Sequence, residues 1–415
     1  MHTAHSSGTR HVVVVGAGGN IGSHLIPHLA RMPEIGRLTL VDRDSYEEAN
    51  LVSQAITATA IARRKAPVQA AIARGISLGL DVRSIAENVE DVPLGLLRGD
   101  LILACLDSRK SRQYVNEAAI QLGVPWIDAG VLADGLLARI SAFASAPDAP
   151  CLECGWDAGD YAAIEQTYPC AQPHSDPPST NAPSSLGALA AALQAIECEK
   201  VLTGRAGVAF DSVAELVVGT SPHCHYLTAH RRNPRCRLGD HERLAVVPLA
   251  CDPQSVSLGT LVDALADGAS ANGSQSLRVP GKWFVRTLTC SSCGIVRPTL
   301  RLSSALNRAQ PPCSKCAGTM IVAGTGVSER LELVKLTPRD RARTCAAIGI
   351  RAGEIIAIEG DSGTRHVEVG RQRVSKLSPN HIDVAQLAFG RRPSHCGAND
   401  RRISPPFDGV AEEVA

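Results

Sequence analysis

His11-Val12-Val13-Val14-Val15-Gly16-Ala17-Gly18-Gly19-Asn20-Ile21-Gly22 decides the fold. A short β-branched run ending in glycines reads as a buried parallel strand that turns tightly into a helix, here from about Ile21 to Arg31. Working outward, a second strand is expected at Arg37–Val41 and an alanine-rich helix over 56–78. Strands at Asp81–Ile85 and Asp100–Leu106, a helix at Ser111–Leu122 and a strand at Val124–Asp128 complete the rhythm. Strands alternating with helices predict an α/β fold with a Rossmann-like, mainly parallel sheet.

The chain has 415 residues, enough for two or three domains. Residues 1–247 are expected to form the α/β domain, with a proline-rich crossover loop at 145–184. Residues 248–326 are expected to hold a linker and a metal-binding subdomain, and 327–415 a region whose fold is not readable. The 42 Lys+Arg balance 41 Asp+Glu, so no overall field favours nucleic acid or anionic lipid. No apolar run of signal-peptide length precedes Val12, and no stretch is long and apolar enough for a membrane helix. A cytoplasmic protein without membrane segments is therefore expected.

Glycines between a strand and a helix let phosphate approach backbone N–H groups. Asp42, at the end of the second strand, is placed to accept ribose hydroxyls. The pattern is G-x-G-G-x-x-G, with Ile21 where the dehydrogenase fingerprint has glycine. It keeps a nucleotide site and weakens the case for a dinucleotide. The plain alternative is a set of glycines that merely permit a packed turn.

With Gly16, Gly18, Gly19 and the displaced Gly22, the chain resembles the ThiF/MoeB/E1-like superfamily of ubiquitin-like-protein activating enzymes. Val41, Asp42 and Asp44 match its V-D-x-D stretch, and Asn50-Leu51-Val52-Ser53-Gln54 its N-L-x-R-Q element. Lys65 matches the lysine near the start of the next helix. Asp107, Arg112 and Asn116 match an Asp followed by Arg and Asn five and nine residues on. The resemblance spans residues 11–245. It implies ATP and Mg²⁺, with Asp107 on the metal, Lys65 on phosphate and Asp42 on the ribose. It places Asp44, Asn50, Gln54, Arg112 and Asn116 around the nucleotide. Taken alone, Asp107 has a plainer reading as a helix N-cap, and Lys65 as part of a solvated helix face. The family arginine is Ser53 here, which leaves Arg63, Arg64 or another subunit to supply that charge.

Three of the chain's fourteen cysteines open C-x-x-C pairs. Cys290/Cys293 and Cys313/Cys316 have zinc-ribbon spacing, and four thiolates complete a tetrahedral structural site. Cys151/Cys154 has no such partner. The family resemblance pairs it with a later element, which implies a second zinc site from Cys151, Cys154, Cys236 and His241. His223, Cys224 and His225 are rival ligands, and an unmetallated redox pair is the other alternative. Cys170 lies in the crossover region where thioester-forming members of the superfamily carry their catalytic cysteine. A loop cysteine without a role is the bland reading.

The resemblance therefore implies an E1-like enzyme. It adenylates the C-terminal glycine of a ubiquitin-like β-grasp protein, carries it as a thioester on Cys170 and passes it to an E2-like protein. The extra C-terminal region resembles standalone E1-like proteins of bacterial conjugation systems linked to anti-phage defence. The superfamily usually works as dimers. Three other readings stand beside this one: a sulfur-carrier adenylyltransferase without a catalytic thioester, a non-catalytic scaffold of a heteromeric complex, and an NAD-dependent oxidoreductase. The segment 281–325 has no dense basic run, so nucleic-acid binding is not expected.

Overall fold

The computed structural model describes residues 10–165 and 182–370, apart from 206, 209, 266–274, 323–325 and 361–362. Parallel strands β1 (Arg10–Val15), β2 (Ile35–Val41), β3 (Asp81–Ile85), β4 (Leu101–Ala104) and β5 (Trp126–Leu132) form one side of the main sheet. Helices α1 (Asn20–Leu29) and α2 (Lys65–Ile76) lie between β1, β2 and β3, and α3 (Arg109–Leu122) joins β4 to β5. β6 (Leu137–Phe143), β7 (Ser212–Val217) and β8 (Cys224–Ala229) continue the sheet antiparallel. The order β3-β2-β1-β4-β5-β6-β7-β8 reverses between β1 and β4, which opens a crevice at their C-terminal ends.

The valine run explains why β1 is central. Val12 and Val14 pack into one apolar layer with Leu25, Ile26 and Leu29 of α1. Val13 and Val15 pack into the opposite layer with Val115, Ala118 and Leu122 of α3. A strand covered on both faces favours continuous β-branched residues over alternation. After the short helix α4 (Ala158–Glu165), the long helix α5 (Ser184–Thr203) joins the α1 side, where Leu186, Ala190 and Cys198 are buried.

Several boundaries differ from the sequence reading. The helix expected over 56–78 begins only at Lys65. Residues 62–63 instead pair with Tyr46, through Ala62 N–H to Tyr46 O at 2.8 Å and Tyr46 N–H to Arg63 O at 2.9 Å. Tyr46 is itself buried, so this loop is anchored in competition with helix formation. The fifth strand runs on to Leu132 because β6 pairs with its whole length. The crossover region, expected to lack structure, contains a 3-10 turn at Leu152–Gly155 and helix α4. Cys170 lies outside the described residues.

The remaining strands are β9 (Val246–Leu249), β10 (Ser276–Arg278), β11 (Phe284–Cys290), β12 (Val296–Leu302), β13 (Met320–Ile321), β14 (Val327–Ser328), β15 (Arg330–Glu332), β16 (Ile355–Gly360) and β17 (Gly363–Val369). A second sheet runs β15-β10-β16-β17-β9, with β9 parallel to β17. It draws strands from both sides of the boundaries expected at 247/248 and 326/327, and its core includes Leu258, Leu277, Ile348 and Ile356. β11 to β14 form the ribbon.

This second body is fastened to the first by polar contacts, some buried and some half-buried. Lys282 Nζ reaches both carboxylate oxygens of Glu354 at 2.8 Å and the Val92 carbonyl at 3.1 Å. Arg351 donates to both oxygens of Glu87 at 2.9 Å.

Candidate nucleotide site and cysteine clusters

The glycine turn sits at the crevice, and close packing explains its glycines. At Gly16, where φ is +80°, a Cβ would stand 2.4 Å from the carbonyl oxygen of Cys105 in the turn after β4. At Gly18 it would stand 2.4 Å from Lys65 Cβ and 2.9 Å from the Tyr46 hydroxyl. Gly22 faces the turn's own backbone, 2.2 Å from Gly16 O, so it serves helix–turn packing. Gly19 has no such constraint and stands as the N-cap of α1 without a side-chain cap.

Asp42 organises this turn. Its Oδ2 accepts from Gly18 N–H at 2.8 Å and its Oδ1 from Asp44 N–H at 3.0 Å. Gly16 and Ala17 N–H both go to Val41 O, and Gly19 N–H goes to Gly16 O. The amides open to an anion are therefore the first ones of α1, from Asn20 to Gly22, which a helix leaves without intrahelical partners. Burial pushes the Asp42 carboxyl upward, opposed by the Asp44 amide and by Lys65. Each carboxylate oxygen keeps a further lone pair for a hydroxyl.

Lys65 is 7% exposed at the start of α2. Its Nζ lies 3.6 Å from Asp44 Oδ2 and 5.6 Å from the Tyr46 ring centroid. It is not part of a solvated helix face. Ser108, not Asp107, caps α3, accepting from Ser111 N–H at 3.4 Å. Asp107 is exposed and has no hydrogen-bond or ion-pair partner among the described residues. A free carboxylate at the crevice suits a hard cation such as Mg²⁺, which prefers oxygen ligands.

Other expected nucleotide residues have different partners. Arg112 Nε donates to Asp128 Oδ1 at 2.9 Å, and its Nη2 donates to the Leu106 carbonyl. It therefore braces the loop carrying Asp107. Asn116 belongs to the first cysteine cluster: fully buried, it accepts from Leu152 N–H at 3.1 Å and donates to Glu153 at 3.4 Å. Its place on the inner face of α3 turns it to the 152–153 turn. Asn50 accepts from Glu47 N–H at 2.9 Å in a capping box, and Gln54 Oε1 is buried without a hydrogen-bond partner. Sequence reasoning missed Asp128 and Tyr46. A lone acid within the apolar strand Trp126-Ile127-Asp128-Ala129 was the available signal for the first.

Both cysteine tetrads are assembled. The ligand atoms of Cys151, Cys154, Cys236 and His241 all lie within 4.8 Å of one another, as do those of Cys290, Cys293, Cys313 and Cys316. Cys151 Sγ is 3.8 Å from Cys154 Sγ and 3.7 Å from Cys236 Sγ, and Cys154 Sγ is 3.8 Å from His241 Nε2. In the ribbon, Cys290–Cys316 and Cys293–Cys313 are 3.5 and 3.8 Å apart. Tetrahedral zinc with Zn–S bonds of ~2.3 Å puts its sulfurs about 3.8 Å apart, so both donor sets fit zinc. His241 Nδ1 lies 3.1 Å from Ala149 O, which directs Nε2 to the cluster. Backbone N–H groups of Cys293 and Ser292 draw the Cys290 thiol down to about 6. The rivals His223, Cys224 and His225 are outside both clusters. Cys105, Cys198 and Cys345 are buried and Cys251 half-buried. Burial pushes the Cys105 and Cys198 thiols strongly upward, which leaves them inert.

A model of the ThiF family matches residues 6–238. The mouse (Mus musculus) adenylyltransferase and sulfurtransferase MOCS3 is 28% identical over 290 residues, covering 62% of this chain and 58% of the relative. Ubiquitin-like modifier-activating enzyme 5 of Oryza sativa subsp. japonica is 30% identical over 144 residues, 31% of this chain and 34% of the relative. The chain thus spans 58% or less of the length of these curated relatives. Among solved structures, E. coli MccB with succinimide aligns at 21% identity and a TM-score of 0.45, covering 55% of this chain and 66% of that one. No helix among the described residues is long and apolar enough to cross a membrane.

Proposed function

The chain belongs to the ThiF family, and from that premise we propose that it is an ATP-dependent, E1-like enzyme acting on the C-terminal glycine of a ubiquitin-like protein. The observation that carries this reading is the convergence of four features at one crevice. They are the open amides at the start of α1, the buried Asp42, the buried Lys65 and the unpartnered Asp107.

In this reading, Asp42 takes the ribose hydroxyls, while the α1 amides and Lys65 offset charge on the phosphates. Mg²⁺ held by Asp107 would neutralise the triphosphate further. A carboxylate oxygen of the tail attacks the α-phosphorus, the bond to the bridging oxygen breaks, and pyrophosphate leaves. Cys170 is the proposed second nucleophile: its sulfur displaces AMP from the acyl carbonyl, giving a thioester for an E2-like acceptor. The two cysteine clusters are proposed as structural zinc sites, and the working form as a cytoplasmic dimer. A place in a bacterial ubiquitin-like conjugation pathway is the finest form of this proposal.

The test is ATP–pyrophosphate exchange on zinc-loaded protein, using a glycine-ended ubiquitin-like protein encoded beside it and the same carrier lacking that glycine. Exchange that requires the glycine is expected. Cys170→Ala should then retain exchange and lose a thiol-sensitive carrier adduct. If wild-type protein forms no such adduct, a sulfur-carrier adenylyltransferase replaces the thioester mechanism. Ser53 favours a second reading, a scaffold subunit. It ends the Glu48–Val52 turn, and Arg64 is bound to the Ala86 carbonyl at 2.6 Å. Carrier binding without exchange would establish that reading.

A further inference from the structure

We propose that Arg139 is a substrate-binding residue that holds the backbone of the substrate's extended tail as it approaches Asp107. The inference rests on the carrier reading above and names a contact within it. Register places Asp128 and Gly130 of β5, Arg139 of β6 and Glu215 of β7 on the same face of the sheet, the one covered by α3. Arg112 reaches down from α3 to Asp128, so this strip begins directly behind the loop that carries Asp107.

Three observations single out Arg139. Its side chain is 40% exposed, and its guanidinium has no hydrogen-bond acceptor among the described residues. Its charge is nevertheless held in place, with Nη2 3.9 Å from Asp128 Oδ2, an oxygen that is buried and has no hydrogen-bond partner. Beside it, Gly130 is buried beneath the two guanidinium groups: a Cβ there would lie 3.5 Å from Arg112 Nη2 and 3.7 Å from Arg139 Nη2, so the absence of a side chain lets Arg139 lie close on the sheet next to Arg112. A planar fork of donors lying on the sheet, half-exposed and without an acceptor of its own, suits an extended peptide, whose carbonyls can accept from the guanidinium. Asp128 acts behind it as a positioning residue, since its charge is shared by Arg112 and Arg139.

A contact to the tail's peptide carbonyls is the same before and during adenylation. Its loss therefore raises KM for the carrier and leaves kcat alone. The experiment is pyrophosphate exchange by the full zinc-loaded chain, titrated separately with ATP and with the glycine-ended ubiquitin-like protein. Arg139→Ala is expected to raise KM for the carrier about tenfold or more, with kcat and KM for ATP within about twofold of wild type. Arg139→Lys, which keeps the charge but loses the fork, should recover part of the loss. Zinc content and thermal midpoint check that each variant is folded, and Arg139→Gln gives a second neutral variant should alanine unfold. An unchanged carrier KM, or a fall in kcat alone, overturns the assignment of Arg139 while the carrier reading stands. Absence of exchange in the wild-type protein overturns both.

Discussion

Lys65 lies across Gly18 so closely that a methyl group on that glycine would stand 2.4 Å from Lys65 Cβ and 3.0 Å from its Cδ. The lysine is thereby held over the turn, and the same turn's amide is tied to Asp42. Gly18→Ala should displace Lys65 and destabilise the fold by about 1–3 kcal/mol, as overpacking does. ATP affinity, measured by titration calorimetry on the folded fraction, should fall by at least tenfold. Unchanged affinity would remove Lys65 from the phosphate site.

Asp107 separates function from stability. It is exposed and makes no described contact, so Asp107→Asn should leave stability within about 0.5 kcal/mol of wild type. Pyrophosphate exchange should nevertheless drop by about a hundredfold or more, because transition-state charge is left unbalanced. Denaturant unfolding and exchange on the same preparation give both numbers. An equal loss of stability and activity would reassign Asp107 to the fold.

Metal content should be two zinc ions per chain. Cys154→Ser and Cys293→Ser should each lower it to one, because the two tetrads share no ligand. Losing the first site should cost more stability, since it joins Cys151 and Cys154 to Cys236 and His241 across more than eighty residues. Elemental analysis and thermal unfolding check both statements. A chain that folds with no zinc would refute the structural role.

Lys282 and Glu354 are both buried, and burial pushes the lysine downward and the glutamate upward, against their mutual attraction. Both shifts mean that holding the charged pair costs stability near neutral pH. Glu354→Gln or Lys282→Met alone should destabilise by about 3–5 kcal/mol, since each strands a buried charge. The double variant Lys282→Met/Glu354→Leu should recover most of that loss. A double-mutant cycle by urea unfolding tests the coupling, and additive losses would contradict it.

His11, on β1, is held neutral. Burial and then the Arg37 charge lower its pKa to about 4, and its Nε2 lies 2.9 Å from Thr39 Oγ1. A folded value below the unfolded one contributes stability that is complete above about pH 6.5 and is lost as pH falls towards 4. The full difference is at most about 3 kcal/mol. Stability of wild type should therefore fall more steeply between pH 7 and 4.5 than that of His11→Gln. Parallel curves would show that another group controls this range.

Much of the molecule was legible in the chain. The valine run marks a strand buried on both faces, and the glycines after it mark a turn where backbone meets backbone. Cysteine spacing named the ribbon's ligands, because a metal knuckle is formed within four consecutive residues. Asp42 and Asp107 lie one and three residues beyond the ends of β2 and β4, so their place in the crevice follows from local order along the chain.

Other features depend on contacts between residues far apart in sequence. Tyr46 holds residues 62–63 out of helix, although their composition favours one. Asn116 turns to the Glu153 segment, and Arg112 to Asp128, because α3 packs between the crevice and the first cysteine cluster. β9 and β17 share one sheet although more than a hundred residues separate them. By itself, the sequence determined the periodicities, the turns and the locally spaced ligands, since each depends on neighbours a few residues away. Only the tertiary structure decided which partner each buried polar side chain takes, because burial forces such groups to pair with whatever donor or acceptor the packing brings near.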